Sequence, residues 1–281
     1  MPRPSTQHGP TTADSLREYG RGIAGGFLFS LPLILTMEMW DAGAVIPPAR
    51  LAAGLLATFV LLCGYNAYAG LRYDSSFREV VIDSIEELGI GLVLSVAVMF
   101  LLGRVNAASA TAEVLGLVVV EGLFVAVGVS VGTAQLSGAG GKDSGMPKGR
   151  QETLSSELVL AFCGAVLIAA NVAPTEEILV LASSMSSLQL VGVLSASIAL
   201  AATLLFYSDF TGSARFAGNR GLVGVIHGTA ITYAAALIAS AGILWFFGRF
   251  HQHALALGVA QCVVLGFVGT LGASAGRLLL R

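Results

Sequence analysis

Seven acidic side chains fall inside segments of this chain that are otherwise apolar: Glu38, Asp83, Glu86, Glu87, Glu121, Glu176 and Glu177. Ionisable groups are costly within a bilayer and mark ion or proton paths there. Arginine occurs only at the ends of those segments, and both lysines, Lys142 and Lys148, lie in one polar stretch. Acids without internal bases need a proton, a cation or water as partner. The chemistry these residues could do is to bind and pass cations.

Three groups of acids emerge. Glu38 lies 17 residues beyond Arg21, roughly 25 Å away along a helix, near the far face of a bilayer. Asp41 follows on the same i, i+3 face. The alternative is that Glu38, Trp40 and Asp41 mark the interfacial belt, where Trp is favoured and carboxylates are hydrated. The segment NVAPTEEIL, residues 171–179, carries Asn171, Pro174, Glu176 and Glu177. Pro174 cannot donate to the carbonyl of Ala170, so the helix should break there. Freed carbonyls, the Asn171 amide and two carboxylates then form an oxygen-rich cation site of the kind broken helices supply. The alternative is a helix end with two solvated glutamates. Glu38, Glu176 and Glu177 together are the expected metal ligands, an acidic ring at the outer mouth.

Asp83, Glu86 and Glu87 are spaced i, i+3, i+4 and form the expected inner site. They also occupy the first turns of a helix, where the dipole favours acids without further function. Glu121 stands alone about three turns into its segment, and His227 is the histidine well inside another. Both are candidates for a protonation element. Asn66, Tyr65 and Tyr68 line a path or bond between helices.

The elements that must position these groups are membrane helices. Of 281 residues, 55% are hydrophobic and 11% charged, against about 25% charged in a soluble domain. That excludes a soluble enzyme, a disordered chain and, with a net charge of −2, a nucleic-acid-binding module. The expected fold is all-α, a polytopic bundle of about eight transmembrane helices. The spans are about 21–40, 49–71, 80–102, 112–134, 154–183, 188–208, 221–247 and 252–277. The expected organisation is a flexible tail at 1–18, a four-helix repeat at 19–134, a Gly-rich linker at 135–152 and a second repeat at 153–281. Twelve basic residues then fall on the side of the tail and linker and three, Arg50, Arg104 and Arg249, on the other. By the positive-inside rule both termini are cytoplasmic, in a bacterial inner membrane.

The halves match collinearly. Gly26 meets Gly164, Glu38 meets Glu176, and Leu101-Leu102-Gly103-Arg104 meets Phe246-Phe247-Gly248-Arg249. With four spans per half, the expected repeat is parallel, its pseudo-two-fold axis along the membrane normal. Asp83, Glu86 and Glu87 have no counterpart in the seventh span, where the matching face holds His227 and Thr232, so the halves are not chemically equivalent. Glu121 aligns with Val263, so the architecture does not require it.

Gly128-Val129-Ser130-Val131-Gly132 and Gly272-Ala273-Ser274-Ala275-Gly276 match G-x-S-x-G. An intramembrane hydrolase would place Ser130 or Ser274 near His227. The same strings are G-x-x-x-G, which lets helices approach closely in lipid. No strand precedes them, and packing is the better reading. The same faces would serve a homo-oligomer. Cys63, Cys163 and Cys262 have no metal spacing, and no Walker A motif or embedded lysine is present. No enzymatic activity and no cofactor are expected beyond a bound Ca²⁺, Na⁺ or K⁺, whose hard oxygen-ligand preference the acids satisfy. The expected partners are the lipid bilayer and an inorganic cation or proton. The competing class is a membrane scaffold or signalling partner, whose acids would face water rather than one another.

The segments GGFLFSLPLILTMEMW, DSIEELGIG and APTEEILVLA resemble an uncharacterised family of bacterial integral membrane proteins over nearly the full chain. That resemblance implies an eight-span fold and no particular activity. Spans 1 and 2 are also similar to the TMEM-type potassium channel family, through Arg21, the run ending Thr36-Met37-Glu38, and Tyr65-Asn66 to Arg72. That family's Phe-Ser-Asp motif is missing, with Gly25-Gly26-Phe27 nearby, so its filter does not carry over.

Overall fold

A computed structural model describes residues 12–69, 76–106, 109–136, 154–212, 221–251 and 254–279. Residues 137–152 of the Gly-rich linker and residues 1–11 of the tail lie outside the described residues, while Gln135, expected as linker, ends a helix. Residues 12–18, expected as tail, already belong to the first helix.

The described residues form ten helices and no sheet. They are α1 (Thr12–Ile34), α2 (Met37–Val45), α3 (Pro48–Ala69), α4 (Phe77–Leu101), α5 (Thr111–Gln135), α6 (Leu154–Ala169), α7 (Glu176–Ser184), α8 (Ser187–Gly212), α9 (Gly221–Phe246) and α10 (Leu255–Leu279). Six are long and apolar enough to cross a membrane, or up to seven if the bent pair α1–α2 is one span. The expected first and fifth spans are the two that differ from continuous helices.

The first is broken between Ile34 and Met37, where the axis turns by 85°. Pro32 removes a donor in the last turn of α1. Thr36 is extended (φ −97°, ψ 135°). Its amide and hydroxyl both donate to the Leu33 carbonyl, at 3.0 and 2.8 Å. The fifth breaks at Pro174, as its sequence predicts. α6 ends at Ala169, and Thr175 is extended (φ −77°, ψ 154°) ahead of α7. The Thr175 amide and hydroxyl donate to the Val172 carbonyl at 3.1 and 2.8 Å. α2 and α7 are nine residues each. α2 stops before Pro47-Pro48, because a residue preceding proline avoids helical backbone.

α4 starts on a capping box, Ser76 with Glu79. It ends in a turn at Gly103 (φ +69°), and α9 ends at Gly248 (φ +75°), conformations that favour glycine.

α5 is buried from Gly116 to Ala134. It packs on α1, α2, α3 and α4, while α10 packs on α6, α7, α8 and α9. Glycine permits both central contacts. A Cβ on Gly25 would lie 2.8 Å from the Gly128 carbonyl oxygen, and one on Gly164 would lie 2.8 Å from Gly276 Cα. This is the packing role expected of the two G-x-x-x-G strings. The halves meet in one core, where Val120, Leu123 and Phe124 pack with Leu244, Phe246, Val264 and Leu265. Outside, Leu56, Val60, Val93, Leu188 and Ile226 are exposed. An apolar exterior of this kind around a partly polar interior suits lipid as solvent.

Candidate functional site

Glu87 is the member of the inner acid group that turns inward. Asn66 Nδ2 on α3 donates to Glu87 Oε2 on α4 at 2.7 Å and to Ser84 Oγ at 3.1 Å. Ser130 Oγ on α5 donates to Asn66 Oδ1 at 3.4 Å. All four residues are buried. A carboxylate can remain buried when charge-assisted hydrogen bonds replace water. The expected trio divides by helix face: Asp83 is half-buried and Glu86 exposed. Asn66 and Ser130 thus join the site, Ser130 as a donor to the Asn66 amide.

Glu121 is the second inward carboxyl and the more isolated. Its exposure is 0%, and neither Oε1 nor Oε2 has a hydrogen-bond partner among the described residues. It sits one turn from Leu117 and one turn from Val125, which pack with Ile34, Met99 and Val129. It shares a helix face with Gly128 and Gly132, at i+7 and i+11, and those glycines rest on α1. α5 therefore turns Glu121 toward the α1–α2 break.

The outer group is less convergent. Glu38 is half-buried on α2, and Asp41 is exposed. Glu176 is 65% exposed and ion-paired with Arg249, whose Nη1 lies 2.6 Å from Oε1. The expectation that acids lack bases fails here because α9 ends in a tight turn at Gly248 that directs Arg249 back to α7. Arg249 Nη2 also donates to the Pro174 carbonyl. Glu177 is exposed. Pro174 is buried, and Asn171 Nδ2 donates to the Leu167 carbonyl at 2.6 Å, leaving Asn171 Oδ1 buried without a partner among the described residues. Among the described residues no group of three or more His, Cys, Asp or Glu could hold a metal ion.

The other two outer arginines are also engaged. Arg104 stacks over Trp40, 3.5 Å from the ring centroid, and Trp40 Nε1 donates to the Ile34 carbonyl at 2.8 Å. Arg50 reaches across to the second half, over Trp245 and 2.5 Å from His251 Nε2.

His227 is exposed on α9. Beside it, Gly228 and Thr232 accept hydrogen bonds from the buried Arg277 at 2.8 and 2.6 Å, and Arg277 pairs with Glu157 at 3.1 Å. Arg277 is one of the twelve bases sorted to the side of the tail and linker, and that sorting did not anticipate this tie. Gln261 on α10 was also missed. Its exposure is 0%, and both amide atoms lack a partner among the described residues. The signal was present, since Gln261 is a lone amide within an apolar span.

The apolar exterior, the spanning helices and the inward carboxyls define a multi-pass α-helical integral membrane protein. The chain belongs to the family described as "Putative integral membrane protein (DUF2391)", which matches residues 18–280. No curated protein and no solved structure matches it.

Proposed function

We propose that this protein moves cations across the bilayer along carboxyl groups buried in its first half. The observation that carries this reading is the pair of inward acids, Glu87 and Glu121, on neighbouring helices at different depths. Asn66 bonds both Glu87 and Ser130. Ser130 and Glu121 are nine residues apart on α5, or about 14 Å. The path runs from Asp83, Glu86 and Glu87 to Glu121 and on to the α1–α2 break, with Glu38 and Asp41 at its mouth. By the distribution of bases, its Glu87 end faces the cytoplasm of a bacterial cell and its mouth faces outward.

In this reading α1–α2 and α6–α7 are one broken span each, giving eight crossings in two parallel repeats. Support comes from the two breaks, each with an extended threonine, and the nine-residue helices after them. The turns at Gly103 and Gly248 add to it: Leu102, Gly103 and Arg104 donate to Val98, Phe100 and Met99, as Phe247, Gly248 and Arg249 do to Ile243, Trp245 and Leu244. Glu176 and Glu177 leave the ion path, the first tied to Arg249 and both exposed. The path needs no potassium-channel filter.

A membrane scaffold is the second reading, favoured by the exposure of Asp41, Glu86, Glu176 and Glu177. Hydrolysis gains nothing from a Ser130 bonded to Asn66 and an exposed His227. Cation flux into liposomes, compared between wild type, Glu87→Gln and Glu121→Gln, tests the proposal. Flux lost in both variants supports it, and flux unchanged in both overturns it.

A further inference from the structure

The outcome at the helix breaks bears on which cation the path carries. A broken helix ligates a metal ion through carbonyls that its own turns no longer use. Here several carbonyls at the two breaks are taken. Leu33 accepts from both the amide and the hydroxyl of Thr36, and Ile34 accepts from Trp40. At the other break, Leu167 accepts from Asn171, Val172 from Thr175 and Pro174 from Arg249. A Na⁺, K⁺ or Ca²⁺ ion needs a shell of several oxygens, six to eight for Ca²⁺. Glu121 brings two, amid Ile34, Leu117, Val125 and Met99.

By the register of α4 on α5, the polar residue of α4 closest in level to Glu121 is Ser95, also fully buried, its hydroxyl without a partner among the described residues. It lies one turn beyond Gly91, which meets Ala126, and three residues after Leu92, which meets Gly122. One hydroxyl and one carboxyl suffice for a proton and fall short of a metal shell.

Charged and titratable groups on the packed elements stand off. On α1, the Arg21 carbonyl would meet a Cβ on Gly132, eleven residues or about 16 Å along α5 from Glu121. Arg17 lies beyond it. On α4, Glu87 is at the level of Ser130, with Asp83, Glu79 and Arg78 farther toward the helix start. On α3, Tyr65 and Tyr68 flank Asn66 at that same level, and Arg50 is turned to Trp245 and His251. On α6, Cys163 packs with Tyr65, and Glu157 is paired with Arg277. On α5 itself, Glu113 is exposed, eight residues before Glu121, or about 12 Å. That leaves Glu38, half-buried on α2 with Asp41 exposed beside it, and Arg104 above Trp40 at the rim of the apolar cluster.

The second half has no equivalent acid. Gln261 shares a face with Gly272 and Gly276, at i+11 and i+15, and those glycines rest on α6. Among the described residues, each half thus buries one unpartnered polar side chain on the face of its central helix that meets its broken span. Only the first of these side chains titrates.

We infer that the ion held at Glu121 is a proton, with one such site per chain, and that Na⁺, K⁺ and Ca²⁺ do not bind there. This rests on the transport reading for its purpose, while the test reads binding and not flux. The full-length protein is reconstituted in phosphatidylethanolamine–phosphatidylglycerol liposomes and its infrared spectrum is recorded at neutral pH. The expected result is a protonated-carboxyl C=O band that shifts in D₂O, is missing from Glu121→Gln, persists in Glu87→Gln, and is unaltered by Na⁺, K⁺ or Ca²⁺ at fixed pH. Absence of the band from the wild type, its survival in Glu121→Gln, or its loss on adding any of the three metal ions overturns the inference. An intact band in a protein with no flux would retain the proton site and remove the transport reading.

Discussion

Arg249 Nη1 lies 2.6 Å from Glu176 Oε1, and the same guanidinium donates through Nη2 to the Pro174 carbonyl. One arginine therefore ties the end of α9 to the break between α6 and α7. It does so at an outer acid expected to ligate a cation.

The Glu176 carboxylate is 65% exposed, and an exposed pair of this kind contributes about 0–1 kcal/mol. Glu176→Gln is expected to leave thermal stability in detergent within a degree or two of wild type, because the carbonyl contact survives. Arg249→Ala removes both contacts and is expected to cost more. A larger loss in Glu176→Gln than in Arg249→Ala would contradict this division.

Buried Arg277 pairs with half-buried Glu157 at the other end of the second half. Removing one partner of a fully buried pair costs about 3–5 kcal/mol because the other charge is left unpaired, and the partial exposure of Glu157 lowers that cost. Arg277→Leu is expected to lower the melting temperature strongly, and Arg277→Leu with Glu157→Leu to recover much of the loss. Equal melting of the single and double variants would show that Glu157 is solvated rather than paired.

The close helix contacts predict a sharp contrast among glycines. Gly25→Ala and Gly164→Ala place a Cβ against backbone, and overpacking of that kind costs about 1–3 kcal/mol. Gly89 and Gly192 have nothing within 4 Å of an added Cβ, so Gly89→Ala and Gly192→Ala are expected to be neutral or slightly stabilising. Melting curves of the four variants check the ranking.

Asn66 holds Glu87 through a bond of 2.7 Å. Hydrogen bonds to charged groups contribute about 1.5–3 kcal/mol. Asn66→Ala is therefore expected to lower flux by about tenfold or more, and Asn66→Gln to restore part of it. Full flux in Asn66→Ala would remove this cluster from the path.

Much of this was legible in the sequence, for identifiable reasons. Composition and the sorting of bases gave a helical membrane protein, and Pro174 gave the break in the fifth span because its missing donor acts locally. The break after Ile34 was not read, since Pro32 sits near a helix end and the turn depends on Thr36 folding back on Leu33. The spacing of Asp83, Glu86 and Glu87 showed one shared face, yet only packing against Asn66 selects Glu87. The partner of Glu176 lies 73 residues away, and no local spacing encodes such a pairing. Gly248-Arg249, matched to Gly103-Arg104, was the available clue.

Flux in liposomes of wild type, Glu121→Gln and Glu176→Gln, driven by a pH step and read with an entrapped pH dye, tests the central claim most directly. The account predicts wild-type flux in Glu176→Gln and its loss in Glu121→Gln. Equal flux in all three proteins, or loss in Glu176→Gln alone, would contradict it.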